Sequence, residues 1–215
     1  MGDVRVKIDV FIAGVGGQGV VLASDALGEV AMAEGYDVKK SDTLGMAQRG
    51  GSVVSHVRLG QRVFSPLIKR GEADILLSFE KLEAGRWSGF LRPNGVAIVN
   101  DQAIPPWSVS SGAEAYPKDQ EILTALAQRT RRIFFVPGLV MAQKLANARV
   151  LNVLMMGFLS AFLPLSEEAW LRSLQGRVPA RFLELNLKAF AQGRLAAAEA
   201  LELEPAWPEK ALYPK

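Results

Sequence analysis

One junction constrains this chain more than any other. The β-branched and aromatic run Val6 to Ala13 passes directly into Gly14-Val15-Gly16-Gly17-Gln18-Gly19, and Val20 to Ala33 then carries helical periodicity. A strand that turns on glycines straight into a helix is how an open α/β sheet begins. The G-x-G-x-x-G spacing has steric reasons. Gly14 permits the tight turn, Gly16 lets backbone amides approach a diphosphate, Gly19 lets the helix pack on the sheet, and the helix N-terminus favours an anion. Gly17 and Gln18 lie in the same turn and join the same candidate binding set. Two readings stand side by side: the turn packs the first helix, or it binds a nucleotide. In the second case Glu34 and Asp37 are the candidate ribose acids, but Lys39 and Lys40 lie where NAD wants a carboxylate, which suits the extra phosphate of NADP or coenzyme A better.

Further along, Asp37 to Ser41 reads as a short second strand and Asp42 to Gly51 as a glycine-punctuated loop. Ser52 to Leu59 alternates, and Gly60-Gln61 predicts a hairpin turn into Arg62 to Ile68. Asp74 to Phe79 and Val96 to Asn100 are short apolar runs, as expected of parallel strands covered on both faces. Lys81 to Phe90 reads as a helix between them, Arg92 to Gly95 as a turn and Pro105 to Gly112 as a loop. A helix over Asp119 to Thr130 leads to a strand at Ile133 to Val136. Helices then follow over Leu139 to Ala146, Val150 to Phe162, Glu167 to Leu174 with Ser166 as N-cap, and Pro179 to Leu201. The pattern predicts an α/β fold: a doubly wound, Rossmann-like, mostly parallel sheet with an inserted β-hairpin and C-terminal helices. At 215 residues it predicts a single domain, 1–215, with 179–215 as a C-terminal helical extension. The alanine-rich stretch Leu195 to Leu203 is poor in large side chains, so it is expected to fray or to meet a partner.

Composition then removes whole classes of chemistry. The 215-residue chain has no cysteine, which excludes disulfides, thiolate zinc and any iron–sulfur cluster ligated by this chain. A single histidine, His56, excludes a multi-histidine metal site, so no metal ligands are assigned. The net charge of +3 has no clustered basic stripe behind it, and Arg129-Thr130-Arg131-Arg132 reads as the cationic last turn of a helix, so no nucleic acid is expected. The apolar run Val150 to Leu165 is interrupted by Asn152, Gly157, Ser160 and Pro164 and reads as a buried helix. The N-terminus lacks a secretory signal, so no membrane and a cytoplasmic location are expected.

The segment Ser41 to Ser52 is the most unusual. Gln48 and Arg49 offer amide and guanidinium donors, Gly50 and Gly51 expose backbone amides, and Ser52 and Ser55 add hydroxyls, a set suited to carboxylate, phosphate or a partner's backbone. Met46 adds apolar surface that suits an interface. His56 sits mid-strand and reads as a hydrogen-bonded structural residue before a general base. Asn147 reads as a cap or left-handed turn and Asn152 as a buried polar anchor, while Met155 and Met156 read as core or subunit contact. The dispersed Trp87, Trp107, Trp170 and Trp207 read as packing residues.

Taken together, the glycine turn, Ser41-Asp42, Met46-x-Gln48-Arg49-Gly50-Gly51-Ser52 and Ser55-His56-Val57-Arg58 resemble the gamma-type subunits of 2-oxoacid:ferredoxin oxidoreductases. Ala73-Asp74 leading to Glu80, Pro93-Asn94-Gly95, and Asn152 before Gly157 support the resemblance, and the long C-terminal helix with Phe182, Asn186, Ala189, Phe190 and Gly193 is similar to the indolepyruvate type. The resemblance implies a subunit inactive alone and without catalytic residues of its own. Its larger partner would carry thiamine diphosphate, magnesium and iron–sulfur clusters, reduce ferredoxin and pass the acyl group to coenzyme A. It implies that Gly14, Gly16, Gly17, Gln18, Gly19, Gln48, Arg49, Gly50, Gly51 and Ser52 line the subunit junction and contact coenzyme A. A homodimer of the isolated chain is compatible with it. The competing expectations are an independent NADP-binding oxidoreductase using Gly14, Gly16, Gly19 and Lys39 or Lys40, and a scaffold that binds no small molecule.

Overall fold

The computed structural model describes residues 6–45, 51–145 and 147–203. Strands β1 (Ile8–Val15), β2 (Asp37–Leu44), β3 (Ser52–Gly60), β4 (Ala73–Ser78), β5 (Leu91–Asn100) and β6 (Arg132–Val136) form one sheet in the order β2-β3-β1-β4-β5-β6. β1, β4, β5 and β6 are mutually parallel, whereas β3 is antiparallel to both β1 and β2. Five of the six strands therefore share one direction, and β3 alone is reversed among the described residues.

Helices α1 (Val20–Ala33), α2 (Lys81–Trp87), α3 (Trp107–Ser110), α4 (Asp119–Ala127), α5 (Gly138–Lys144), α6 (Leu151–Ser160), α7 (Glu167–Arg177) and α8 (Ala180–Glu202) complete the described chain. Crossovers between parallel strands are right-handed, so connections running toward opposite sheet edges must lie on opposite faces. From β1 the chain runs outward to β2 through α1; from β4 it runs the other way through α2 and α4 to β5 and β6. Two apolar cores result. One gathers Ile8, Val10 and Ile12 of β1 with Leu27 of α1, Leu154 of α6, Trp170 of α7 and Phe190 of α8. The other gathers Phe11 and Ala13 with Ala84 of α2 and Ile122 and Leu126 of α4. The sheet is doubly wound, and its switch point lies between β1 and β4.

The inserted antiparallel pair is present, but Arg62 to Ile68 is not its second strand. β3 pairs with β2, from Asp37↔Gly60 to Leu44↔Val53, so β2 runs three residues beyond the Ser41 expected. Pro66 deprives the segment after β3 of a ladder donor, and side chains take its other polar groups instead. Arg58 Nη1 donates to the Leu67 carbonyl at 2.9 Å, Ile68 N donates to His56 Nδ1 at 3.1 Å, and Val63 N donates to Asp37 Oδ2 at 2.8 Å. Arg58 also forms a two-pronged pair with fully buried Asp9, both contacts at 2.9 Å. His56 is thus structural: its ring stands edge-on to Phe11, 4.8 Å between centroids, inside the second core.

Smaller differences have local causes. Asn94, at φ 63°, makes the expected turn a left-handed kink within β5. α4 ends at Ala127, so Arg129 to Arg132 is not its last turn, and Thr130 is drawn inward by its bond to the Gly95 carbonyl at 2.5 Å. Trp107 is 84% exposed on α3, which fell in an expected loop and has no fully buried residue, whereas Trp170 is buried as expected and Trp207 lies outside the described residues. Met155 and Met156 are core.

The C-terminal helix does not fray through its alanines. It is continuous to Glu202 and buries Ala189, Phe190, Gly193 and Ala197. Small residues are what let it approach α6: a Cβ at Gly193 would strike the Leu154 carbonyl, and one at Gly157 would strike the Phe190 carbonyl. Gly157→Ala should therefore lower the unfolding free energy by about 1–3 kcal/mol through overpacking, read from urea denaturation; an unshifted midpoint would mean the helices do not touch there.

Burial pushes the His56 imidazole below its ordinary pKa, and the Arg58 charge adds to this against a weaker opposing pull from Asp42. The unfolded chain then binds more protons than the folded one as pH falls through the usual histidine range, so folding is weakened on acidification and the effect vanishes above it. His56→Asn keeps an acceptor for the Ile68 amide without a titrating ring. Its loss of stability between pH 7.5 and 5.5 should be smaller than that of the parent chain, and equal losses would contradict the assignment.

Candidate functional site

In a doubly wound sheet ligands bind beyond the carboxyl ends of the strands at the switch point. Here the root of that crevice is closed by one side chain. Gln18 Oε1 accepts from Val15 N at the end of β1, 2.9 Å, and its Nε2 donates to the Phe79 carbonyl just past β4, 2.9 Å. Asn100, at the end of β5, donates to the same carbonyl at 3.0 Å. Gln18 therefore holds the turn and does not project outward.

The structure divides the glycine roles differently from the expectation: close approach of the helix falls to Gly14, the left-handed backbone to Gly19, and the Gly16 amide bonds to the Gly51 carbonyl. A Cβ on Gly14 would sit 2.8 Å from Val20 Cγ2 and 3.2 Å from Phe79 Cβ, so this glycine lets the helix fold back on the strand. Gly19 is the N-cap of α1 in the left-handed region, φ 82°, and no side chain caps the helix. The amides of the first helical turn thus remain available to an anion.

Two clefts share this turn as a wall. One, of about 620 Å³, is apolar and lies between Gly16, Gly17, Gly19, Val20, Leu44 and Val53. The other, of about 370 Å³, lies over the switch point, where Gly17 and Gly19 face Gln102, Ile104, Arg149 and Asn152. Asn152 leans directly on the turn, since a Cβ on Gly19 would meet its Nδ2 at 2.8 Å. Asn147 caps the short turn before α6 by accepting from Arg149 N at 3.0 Å.

Of the candidate residues, Gly14, Gly16, Gly17, Gln18, Gly19, Gly51 and Ser52 come together at this end of the sheet; Gly16 N donates to the Gly51 carbonyl at 2.8 Å. Met46, Gln48, Arg49 and Gly50 lie outside the described residues. Ser55 does not belong to the group: its hydroxyl is buried and donates to Asp42 Oδ1 at 2.6 Å.

The lysines are not a phosphate site. Lys39 Nζ is 2.7 Å from Asp37, and Lys40 Nζ is 2.5 Å from Asp25 and 2.7 Å from Asp42. Burial works to lower the Lys40 pKa, but the hydrogen bonds it donates to Asp25 and Asp42 outweigh this and the net shift is upward. The strand order also separates β2 from β1 by the whole width of β3, whereas a dinucleotide site needs its ribose acid on a strand beside β1.

Two buried glutamates, Glu80 and Glu83, are given no role by the sequence. Glu80 Oε2 accepts from Glu83 N at 2.9 Å as N-cap of α2, and its Oε1 accepts from Ile104 N at 3.0 Å and the Tyr116 hydroxyl at 2.5 Å. Burial, with the Glu80 hydrogen bond next, raises the Tyr116 pKa far above its ordinary value. Glu83 accepts from Ser52 Oγ and, at 3.0 Å, from Trp87 Nε1. The one available signal was Phe79-Glu80-Lys81-Leu82-Glu83 after an apolar strand, an acidic first helical turn. Among the described residues no group of three or more His, Cys, Asp or Glu is arranged to hold a metal, and no helix is long and apolar enough to cross a membrane.

The family described as Pyruvate ferredoxin/flavodoxin oxidoreductase matches residues 9–196. The indolepyruvate oxidoreductase subunit IorB of Pyrococcus horikoshii is 37% identical over 203 residues, spanning 92% of this chain and 99% of that protein. Among solved structures, the gamma subunit of a keto/oxoacid ferredoxin oxidoreductase from Geobacter sulfurreducens PCA superposes with a TM-score of 0.66 at 24% identity, covering 89% of this chain and 99% of that one. A 2-oxoglutarate:ferredoxin oxidoreductase from Magnetococcus marinus, solved with 2-oxoglutarate, coenzyme A and succinyl-CoA, superposes with a TM-score of 0.70 at 20% identity over 94% of this chain and 32% of that one. Identity of this extent along nearly the whole chain, on the same glycine-turned doubly wound sheet, makes this chain a member of the pyruvate ferredoxin/flavodoxin oxidoreductase family.

Proposed function

We propose that this chain is the small subunit of a coenzyme A-dependent 2-oxoacid ferredoxin oxidoreductase acting on indolepyruvate or another aryl pyruvate, and that it has no activity alone. One observation carries the reading: 37% identity to an indolepyruvate oxidoreductase subunit over 99% of that subunit's length. The family is that of thiamine diphosphate and iron–sulfur oxidoreductase complexes. A chain without cysteine offers no thiolate to a cluster, which fits clusters held on a larger partner; the family resemblance puts thiamine diphosphate, magnesium and the delivery of electrons to ferredoxin on that partner as well. Bound there, thiamine diphosphate would supply the carbon nucleophile for the 2-oxoacid carbonyl.

The contribution of this chain is a wall. Uncapped amides at the start of α1, with Arg149 facing Gly17 and Gly19 across the smaller cleft, suit the phosphates of coenzyme A. The apolar cleft of Val20, Leu44 and Val53 suits its pantetheine arm. Gly14, Gly16, Gly17, Gln18, Gly19, Gly51 and Ser52 shape this wall; Gln48, Arg49 and Gly50, outside the described residues, belong to the same proposed binding set. The whole chain acts as one domain, with the extension from 179 fastened to α6, and works in the cytoplasm. The isolated chain is free to pair with a second copy.

Calorimetry tests the assignment. Coenzyme A should bind the chain only with its larger partner present, and NADP should not bind at all; micromolar NADP binding to the chain alone would overturn the reading. In the reconstituted complex Arg49→Ala should cut acyl-CoA formation by about 10-fold or more, the scale of one lost charge-assisted bond, measured by acyl-CoA product. Unchanged turnover would remove Arg49 from the site.

A further inference from the structure

Glu83 carries a carboxylate that the proposed reaction does not use. It lies in the first turn of α2 with 3% of its surface exposed. Donors converge on it from separate directions. Ser52 Oγ and Trp87 Nε1 reach Oε2, the indole at 3.0 Å, and Arg86 Nε lies 3.2 Å from Oε1. Trp87 Nε1 also lies 3.2 Å from Ser52 Oγ, so hydroxyl, indole and carboxylate close a triangle.

Helix capping does not explain this arrangement. The α2 N-terminus is already capped by Glu80, which accepts the Glu83 amide itself. A carboxylate taken out of water costs several kcal/mol unless donors replace its hydration, and the donor from outside α2 comes from the first residue of β3. That residue sits at a junction. The Ser52 carbonyl accepts from Gly45 N at 3.0 Å, and the preceding Gly51 carbonyl accepts from Gly16 N at 2.8 Å. Whatever fixes Ser52 therefore fixes Gly51, and through it the second glycine of the turn that both clefts share.

We propose that Glu83 is a positioning residue for the coenzyme A wall: by holding Ser52 it clamps the Gly51 carbonyl onto the Gly16 amide and sets the glycine turn without touching ligand. This rests on the reading of that turn as the coenzyme A face. It assigns Gly16 N–H to the protein's own scaffold and leaves anion binding to the amides that follow. It also explains why Ser52, a hydroxyl at the mouth of a binding turn, points away from the clefts.

The test uses the full chain assembled with its partner and two independent readouts: hydrogen–deuterium exchange of the peptide carrying Gly16, and the separate effects on KM for coenzyme A and on kcat. Glu83→Gln should speed exchange at Gly16 and raise KM for coenzyme A by about 10-fold, the equivalent of one hydrogen bond, with kcat at saturating coenzyme A within about twofold. Ser52→Ala, which breaks the same bond from the other side, should speed exchange and raise KM likewise, and Ser52→Thr, which keeps the hydroxyl, should restore both; this pair decides the matter if Glu83→Gln does not fold. Unchanged Gly16 exchange in an assembled variant complex overturns the clamp. Faster exchange with an unchanged KM for coenzyme A upholds the clamp and overturns the coenzyme A reading on which the proposal rests.

Discussion

The reversed direction of β3 decides where everything else in the site lies. β1 is hydrogen-bonded on one side to parallel β4 and on the other to antiparallel β3. Since β2 runs with β1 and turns back into β3, the β2–β3 connection must return to the carboxyl end of β1, the end where the glycine turn sits. Antiparallel strands accept a short connection, whereas parallel neighbours need a long crossover. That is how Gly51 comes within one hydrogen bond of Gly16 although 35 positions separate them in sequence. Had β2 lain directly beside β1, as in a dinucleotide-binding sheet, this contact would not exist and the crevice beside β1 would be open.

Those parts of the fold that announce themselves through burial were legible. β4 and β5 carry short apolar runs because both their faces are covered, β6 buries Phe134 and Val136 on one face, and α1 shows its buried stripe at helical spacing. The strand that pairs with β3 shows the limit of that signal. Of Asp37-Val38-Lys39-Lys40-Ser41-Asp42-Thr43-Leu44 only Val38 packs on the core, because Lys40 and Asp42 form ion pairs and hydrogen bonds with Asp25 and Ser24 of α1 where a hydrophobic face would otherwise continue. Arg62 to Ile68 looked more strand-like, with Val63, Phe64 and Leu67, yet Phe64 is 82% exposed and the segment is tied down through Arg58, His56 and Asp37 instead of a ladder. Alternation reports burial on a sheet; it does not report pairing.

The site was legible in its backbone and illegible in its supports. Glycine spacing predicts a turn because only steric freedom is needed to infer it. That Gln18 would face inward, span β1 and the end of β4, and so close the crevice at its root depends on where Phe79 lies, 61 residues away. The same holds for Glu83 and Ser52, 31 residues apart, and for Glu80 and Tyr116, 36 apart. A buried carboxylate is recognisable only by the donors that surround it, and those reaching these two from outside α2 lie 24 to 36 residues away in sequence.

A glycine-rich strand-to-helix turn offers amides to an anion whatever the sheet around it. What makes a dinucleotide site is the second half, a ribose-binding acid on the adjacent strand and an open groove for adenine. This chain keeps the first half and has used up the second. β3 occupies the neighbouring position, the basic residues of β2 are neutralised by Asp25, Asp37 and Asp42, and Gln18 seals the floor. The space that remains opens outward, between the turn, the end of β2 and the start of α6, and it is bounded on its outer side by exposed Leu44 and Arg149. On the proposed reading that this opening is the coenzyme A face, the same strand reversal that abolishes a self-contained nucleotide pocket leaves an open wall for a companion surface to complete.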